Sequence, residues 1–225
     1  MFHKCENTNR YHIKSNTDYL SICQYIREFL CKNNECMNKP GPVCPFMPGA
    51  LKQQSIYFFL VNDQYTNKNR LIKMVQQCKN DFLYKLKPII RNRDKSIYKC
   101  LIILIRSSNI SHSLIDEIQT ELKPEFIIQH GLMFGEFHQS TNSTAIRNEN
   151  VYPFRTIAPL LVIRYMVAND IIFLNQKHKY SIDIRMSMIK KYLNLYHSGL
   201  LYRAKTNYLE DANKILEELS SSIRE

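Results

Sequence analysis

The chain has 225 residues and carries 31 Lys and Arg against 20 Asp and Glu, a formal charge of +11. A hydrophobic fraction of 44% with 23% charged residues is that of a folded domain with a real core and argues against wholesale disorder. No apolar run approaches the roughly 20 residues a membrane helix needs, and the polar start MFHKCENTNRYHIKSN lacks a signal-peptide core, so a cytoplasmic protein is expected. The seven cysteines form no pattern of a secreted disulfide scaffold and are expected as free thiols. The positive charge fits an anionic partner, but the wealth of Asn, Ile, Lys and Tyr, with few Gly and no Trp, is also the bias an AT-rich genome produces.

Residues 1–17 read as a polar tail. From Asp18, a plausible N-cap, Tyr19, Ile22, Cys23, Ile26 and Leu30 fall at helical spacing. PGPVCPFMPG, residues 40–49, holds four prolines and two glycines and is expected to be irregular. SIYFFLV (55–61) is a continuous apolar run and predicts a strand buried on both faces. Leu71, Val75, Cys78, Phe82 and Leu86 then predict a helix closed by Pro88, and IYKCLIILI (97–105) a second strand. Ser111 or Ser113 caps a helix expected to end near Pro124; GLMFGEFH (131–138) and PLLVIRYMV (159–167) follow as strands. The rest is helical: a short turn at 170–174, a helix over 182–196 and a last one through Leu209, Ile215 and Leu219.

This order predicts a single-domain α/β sandwich. Its central sheet is expected to be mixed and mostly parallel, of about four strands, with flanking helices. Strand–helix–strand–helix–strand implies two crossovers, and the loop before the last strand permits an antiparallel addition. The core domain is expected over 18–175, with a helical C-terminal extension over 176–225.

Cys44, between Pro42 and Pro45, is held in a fixed direction. It reads either as a small buried residue at a tight turn or as a metal ligand or nucleophile. The spacing of Cys23, Cys31, Cys36 and Cys44 is not that of a structural zinc site. Glu136 and His138, two apart on a strand, point to one face, where they form a solvated ion pair or do acid–base work. Arg164, inside an apolar run, needs a carboxylate such as Glu136 or Asp170, or else an anionic ligand, which Arg155 could share. Residues 67–106 hold eleven Lys or Arg against Asp81 and Asp94, a solvated face or a weak anionic contact. The signatures G-x-G-x-x-G, Walker A, G-x-S-x-G and H-E-x-x-H are absent, which disfavours nucleotide hydrolysis, dinucleotide redox and zincin proteolysis.

The blocks PGPVCPFMPGAL, LKPEF, GLMFGEFH and PLLVIRYMV, followed by Asp170 and Phe173–Leu174, resemble a bacterial family of uncharacterised domains, a domain of unknown function. The Cys44 block is also similar, more distantly, to the haem-dependent guanidine N-hydroxylases of guanitoxin biosynthesis. That resemblance implies a haem-dependent oxygenase acting on a small nitrogenous or aromatic metabolite. Haem would be contacted by Cys44 or His138 and its propionates by Arg155 and Arg164, with Glu136 and His138 in catalysis. A non-enzymatic binding protein that uses the basic helix is the alternative expectation.

Overall fold

The computed structural model describes residues 3–4, 17–61, 67–86, 97–106, 110–201 and 206–223. Strand β1 is His3–Lys4, inside the stretch expected as tail. Helix α1 is Thr17–Tyr25, with Asp18 in its first turn rather than at its cap. It continues as one π turn, Ile26–Leu30, closed by Cys31 N–H donating to the Ile26 carbonyl at 3.0 Å. The proline-rich segment is irregular only to Phe46. Helix α2, Met47–Lys52, begins there, because a proline in the first turn gives up no bond.

Strand β2 (Ile56–Val61) leads to α3 (Lys68–Tyr84), capped by Asn67, whose side chain accepts from Arg70 N–H at 2.9 Å. Pro88 lies outside the described residues. Strand β3 (Cys100–Ile105) is buried throughout. Helix α4 runs from His112 to His130, past Pro124, where an end was expected. Ser111 caps it, accepting from Leu114 N–H at 3.2 Å. The interior proline costs about 3 kcal/mol. Beyond it, Phe126 and Ile127 are fully buried, each contributing about 1.5–3 kcal/mol, which offsets that cost. Strands β4 (Leu132–Phe137) and β5 (Leu160–Tyr165), a 3-10 turn (Ala168–Phe173), α5 (Ile182–His197) and α6 (Thr206–Ser221) complete the chain.

The fold is α/β around a mixed sheet of order β1-β2-β3-β5-β4. β2 and β3 are parallel in register from Ile56↔Cys100 to Val61↔Ile105, and β1 adds antiparallel to β2. Ile105 N–H, at the end of β3, bonds the Pro159 carbonyl at the start of β5. Met166 N–H, after β5, bonds the Gly131 carbonyl before β4. β5 is therefore antiparallel to both neighbours. β2, β3 and β4 do share one direction, as two crossovers require, but β5 inserts between β3 and β4. Only one adjacent pair is left parallel, fewer than expected.

The chain divides into two compact units. The first takes residues 1–119 and 135–163, the second 120–134 and 164–225. In the first, Tyr19 meets Phe58 edge-on at 4.7 Å; β3 is buried throughout, and β2 is buried except at the half-buried Phe59 and Leu60. In the second, Met188, Ile189 and Tyr192 of α5 pack with Ile171, Leu174 and Ala212. The Tyr192 hydroxyl donates to the Ala168 carbonyl at 2.8 Å.

Candidate functional site

His138 directly follows β4 and is 1% exposed. Both ring nitrogens are engaged. Nε2 lies 2.8 Å from Asp116 Oδ1, and Nδ1 lies 3.2 Å from Ser140 Oγ. Ser140 Oγ is also 2.6 Å from His112 Nδ1, and the His112 and His138 rings stack at 4.6 Å. His112 and Asp116 reach the ring together because residues i and i+4 share a face of α4. The turn after β4 is fixed by two bonds: His138 N–H donates to Thr141 Oγ1, and Thr141 N–H to the His138 carbonyl.

The polarity of this line follows from the carboxylate. Asp116 accepts, so His138 carries its proton on Nε2, and Nδ1 is left as an acceptor for the Ser140 hydroxyl. Ser140 Oγ can then accept from His112 Nδ1–H. Burial first, then the His138 ring, hold His112 below the usual histidine range, with Asp116 opposing them. The line is open to solvent at both ends: Ser140 is exposed and the Asp116 side chain is 48% exposed.

Arg155 stands beside the same turn. Its Nε donates to the Thr141 carbonyl at 2.9 Å, and its guanidinium lies 3.7 Å over the Tyr152 ring. Among the described residues its terminal nitrogens have no protein acceptor, and the Thr141 carbonyl that holds its Nε is one residue along the chain from Ser140.

The other expected residues are placed differently. The carboxylate on His138 is Asp116, not Glu136, which lies half-buried on β4. Arg164 forms a two-pronged pair with Asp170, at 2.7 and 2.6 Å, which is one of the two carboxylates anticipated for it. Cys44 is half-buried on a loop pinned by Cys44 N–H to the Leu30 carbonyl and Val43 N–H to the Lys32 carbonyl, both 2.9 Å. Its charge reaches Tyr25 and Cys31, whose pKa values burial raises first and Cys44 raises further. Among the described residues Cys44 and His138 share no hydrogen bond, and no group of three or more His, Cys, Asp or Glu could hold a metal ion.

Of the four residues expected around haem, His138 and Arg164 are engaged within the protein, whereas among the described residues the terminal nitrogens of Arg155 are not. An iron ligand needs a free ring nitrogen, and both nitrogens of His138 are bonded within the protein. A propionate needs a free guanidinium, and that of Arg164 is held by Asp170.

The basic stretch also divides. Lys68 pairs with Glu117 and Lys85 with Asp81, both at 2.6 Å, and Lys79 and Lys99 are buried. Lys87, Arg91, Arg93 and Lys95 lie outside the described residues. Sequence reasoning missed His112, Asp116 and Ser140. The pair His112/Asp116 at helical i,i+4 spacing was the available signal, and only the helix's placement against the end of β4 gives it meaning.

The chain belongs to a family defined by a domain of unknown function (DUF6875), whose sequence pattern matches residues 19–207. No curated protein and no solved structure matches it. Among the described residues no helix is long and apolar enough to cross a membrane.

Proposed function

We propose that the chain is a cofactor-independent hydrolase of acyl bonds in small anionic molecules, with Ser140 as nucleophile and His138 as general base. The observation that carries this reading is the continuous line Asp116–His138–Ser140, which ends on an exposed hydroxyl. A serine is a weak nucleophile until a base takes its proton, and the base must be held in the right tautomer by a third group. Asp116 supplies that hold. Ser140 Oγ attacks the acyl carbon while its proton passes to His138 Nδ1. The same proton then leaves with the departing group, and water repeats the sequence to release the acid. The 3.2 Å Ser140–His138 separation is of the length common in an unliganded site. His112, kept largely neutral at pH 7, steadies the hydroxyl from its other side. Arg155 would hold a substrate carboxylate beside the reacting bond.

The test is reaction with a fluorophosphonate, which phosphonylates activated serines, followed by peptide mass spectrometry. The expected result is a single adduct at Ser140 that is absent in Ser140→Ala. Loss of a general base lowers rates by about 10²–10⁴-fold, and Asp116→Asn, at a half-exposed position, is expected to slow labelling by at least the lower figure. Labelling that is indifferent to both substitutions would sink the reading. So would a Soret band at one equivalent of added haem that is lost in His138→Ala.

A further inference from the structure

A groove of about 350 Å³ opens in the first unit between β2 and one face of α3. Its lining on the helix is a single stripe, Arg70, Lys73, Met74, Gln77, Cys78 and Asp81, at the three- and four-residue spacings that bring side chains onto one face. Phe59 of β2 stands opposite, half-buried, with part of its ring open to the groove.

The two ends differ in charge. Asp81 is 9% exposed and already answered, by Lys85 Nζ at 2.6 Å and Gln77 Nε2 at 3.0 Å. Arg70 and Lys73 are exposed, and among the described residues their side chains meet no acceptor. One end of the groove is therefore neutralised and the other keeps two free cations a helical turn apart. Apart from Gln77, whose amide is turned to Asp81, the wall between them is apolar and soft. Met74 and Cys78 are buried, the Cys78 thiol donating to Met74 sulfur at 3.6 Å. Burial, with Asp81 adding to it, pushes the Cys78 thiol up to about 12, so the wall stays uncharged at neutral pH.

We infer that this groove is a binding site for a small aromatic carboxylate, its ring against Phe59, Met74 and Cys78 and its carboxylate on Arg70 and Lys73. The volume sets the size. A cavity of about 150 Å³ takes one benzene ring, so this groove accommodates a ligand of about two fused rings. Sulfur atoms beside an aromatic ring and an aromatic edge or face suit a planar π-system better than a branched aliphatic one. The paired cations select the anion, and Asp81, held by Lys85 and Gln77, stands at the opposite end of the stripe. The site is independent of Ser140 and His138.

Calorimetric titration of the full chain with 2-naphthoate tests this, with neutral 2-naphthamide as the comparison. Saturable one-to-one binding of the acid is expected, weakened about tenfold for the amide and about tenfold in Arg70→Gln/Lys73→Gln. Lys68→Gln, a cation on the same helix but outside the groove, is expected to leave affinity unchanged. Both groove substitutions are at exposed positions, so the fold is retained, which far-UV dichroism checks. No binding at millimolar acid, or equal affinity for acid and amide, or equal affinity in wild type and the double variant, would overturn the assignment.

Discussion

Replacing Asp170 by Asn tests the contribution of the ion pair that the sequence anticipated for Arg164. Asp170 is 2% exposed and Arg164 16%, so water screens neither well. The carboxylate accepts three bonds: Arg164 Nη1 at 2.7 Å, Arg164 Nη2 at 2.6 Å and Val167 N–H at 2.7 Å. The amide is the same size and still accepts with one oxygen, but it removes the charge and turns an NH₂ group toward a guanidinium. Losing one partner of a buried pair costs about 3–5 kcal/mol. The retained acceptor and the partial exposure of Arg164 place this case near the lower end, about 3 kcal/mol. For a chain of this size that corresponds to a fall in Tm of roughly 6–12 °C. Urea unfolding followed by far-UV dichroism is the assay, since the chain has no tryptophan to report by fluorescence. The double variant Arg164→Met/Asp170→Leu is expected to recover most of the loss, because an apolar pair of similar volume leaves no charge unanswered. A loss below about 1 kcal/mol for Asp170→Asn would refute the reasoning. A double variant less stable than the single one would show that the pair is needed for more than its own neutralisation.

Lys99 gives a pH signature. Its Nζ is buried against the Phe82 and Leu86 carbonyls, and burial pulls its pKa down to about 8. Below pH 8 both folded and unfolded chains hold the proton, and the folded state bears the full cost of a buried ammonium. From about 8 to the ordinary lysine value near 10.4 the folded state releases its proton first, so stability is expected to rise with pH across that window. Lys99→Met should flatten the rise in chemical denaturation measured at several pH values; an unchanged slope would count against it. At Gly131, φ is +65° and an added Cβ would lie 3.0 Å from Leu195 Cδ1. Gly131→Ala is expected to cost about 1–2 kcal/mol from the left-handed backbone alone, read as a lowered denaturation midpoint; a neutral effect would mean that the turn shifts freely.

The strands were legible because their signal is local. The runs at 55–61 and 97–105 are apolar without alternation, and both became strands, at 56–61 and 100–105, the second buried throughout and the first everywhere but at the half-buried Phe59 and Leu60. What was not legible is order. Nothing in the residues of β5 says that it enters between β3 and β4, because that choice is made by the loop before it and by burial summed over the whole sheet. Pro124 misled for a related reason. A proline's cost is fixed and local, whereas the apolar burial at Phe126 and Ile127 that outweighs it depends on what the helix packs against. Arg164 could be read because a guanidinium in an apolar run has few physical outcomes, and a carboxylate six residues on was one of them. His138 could be singled out but not partnered, since Asp116 comes from a helix 22 residues earlier and meets it only in the folded chain.

The way each buried polar network ends separates scaffold from site. Lys99 ends on the Phe82 and Leu86 carbonyls, and Lys123 on the Phe173 carbonyl and Gln176 Oε1. Arg164 and Asp170 end on each other, on the Tyr165 carbonyl and on Val167 N–H. The two lysines close on carbonyl and amide oxygens, and Arg164 and Asp170 close on each other and on backbone, which suits groups whose work is to hold backbone in place. The line through His138 does not close. It runs from a half-exposed carboxylate through a buried ring to an exposed hydroxyl shared with a second imidazole. Each of its bonds joins groups that can exchange a proton, and its free end is in water. A histidine kept only for packing needs one satisfied nitrogen on a carbonyl; one held by a carboxylate and aimed at an open hydroxyl is the arrangement on which the proposed proton transfer rests.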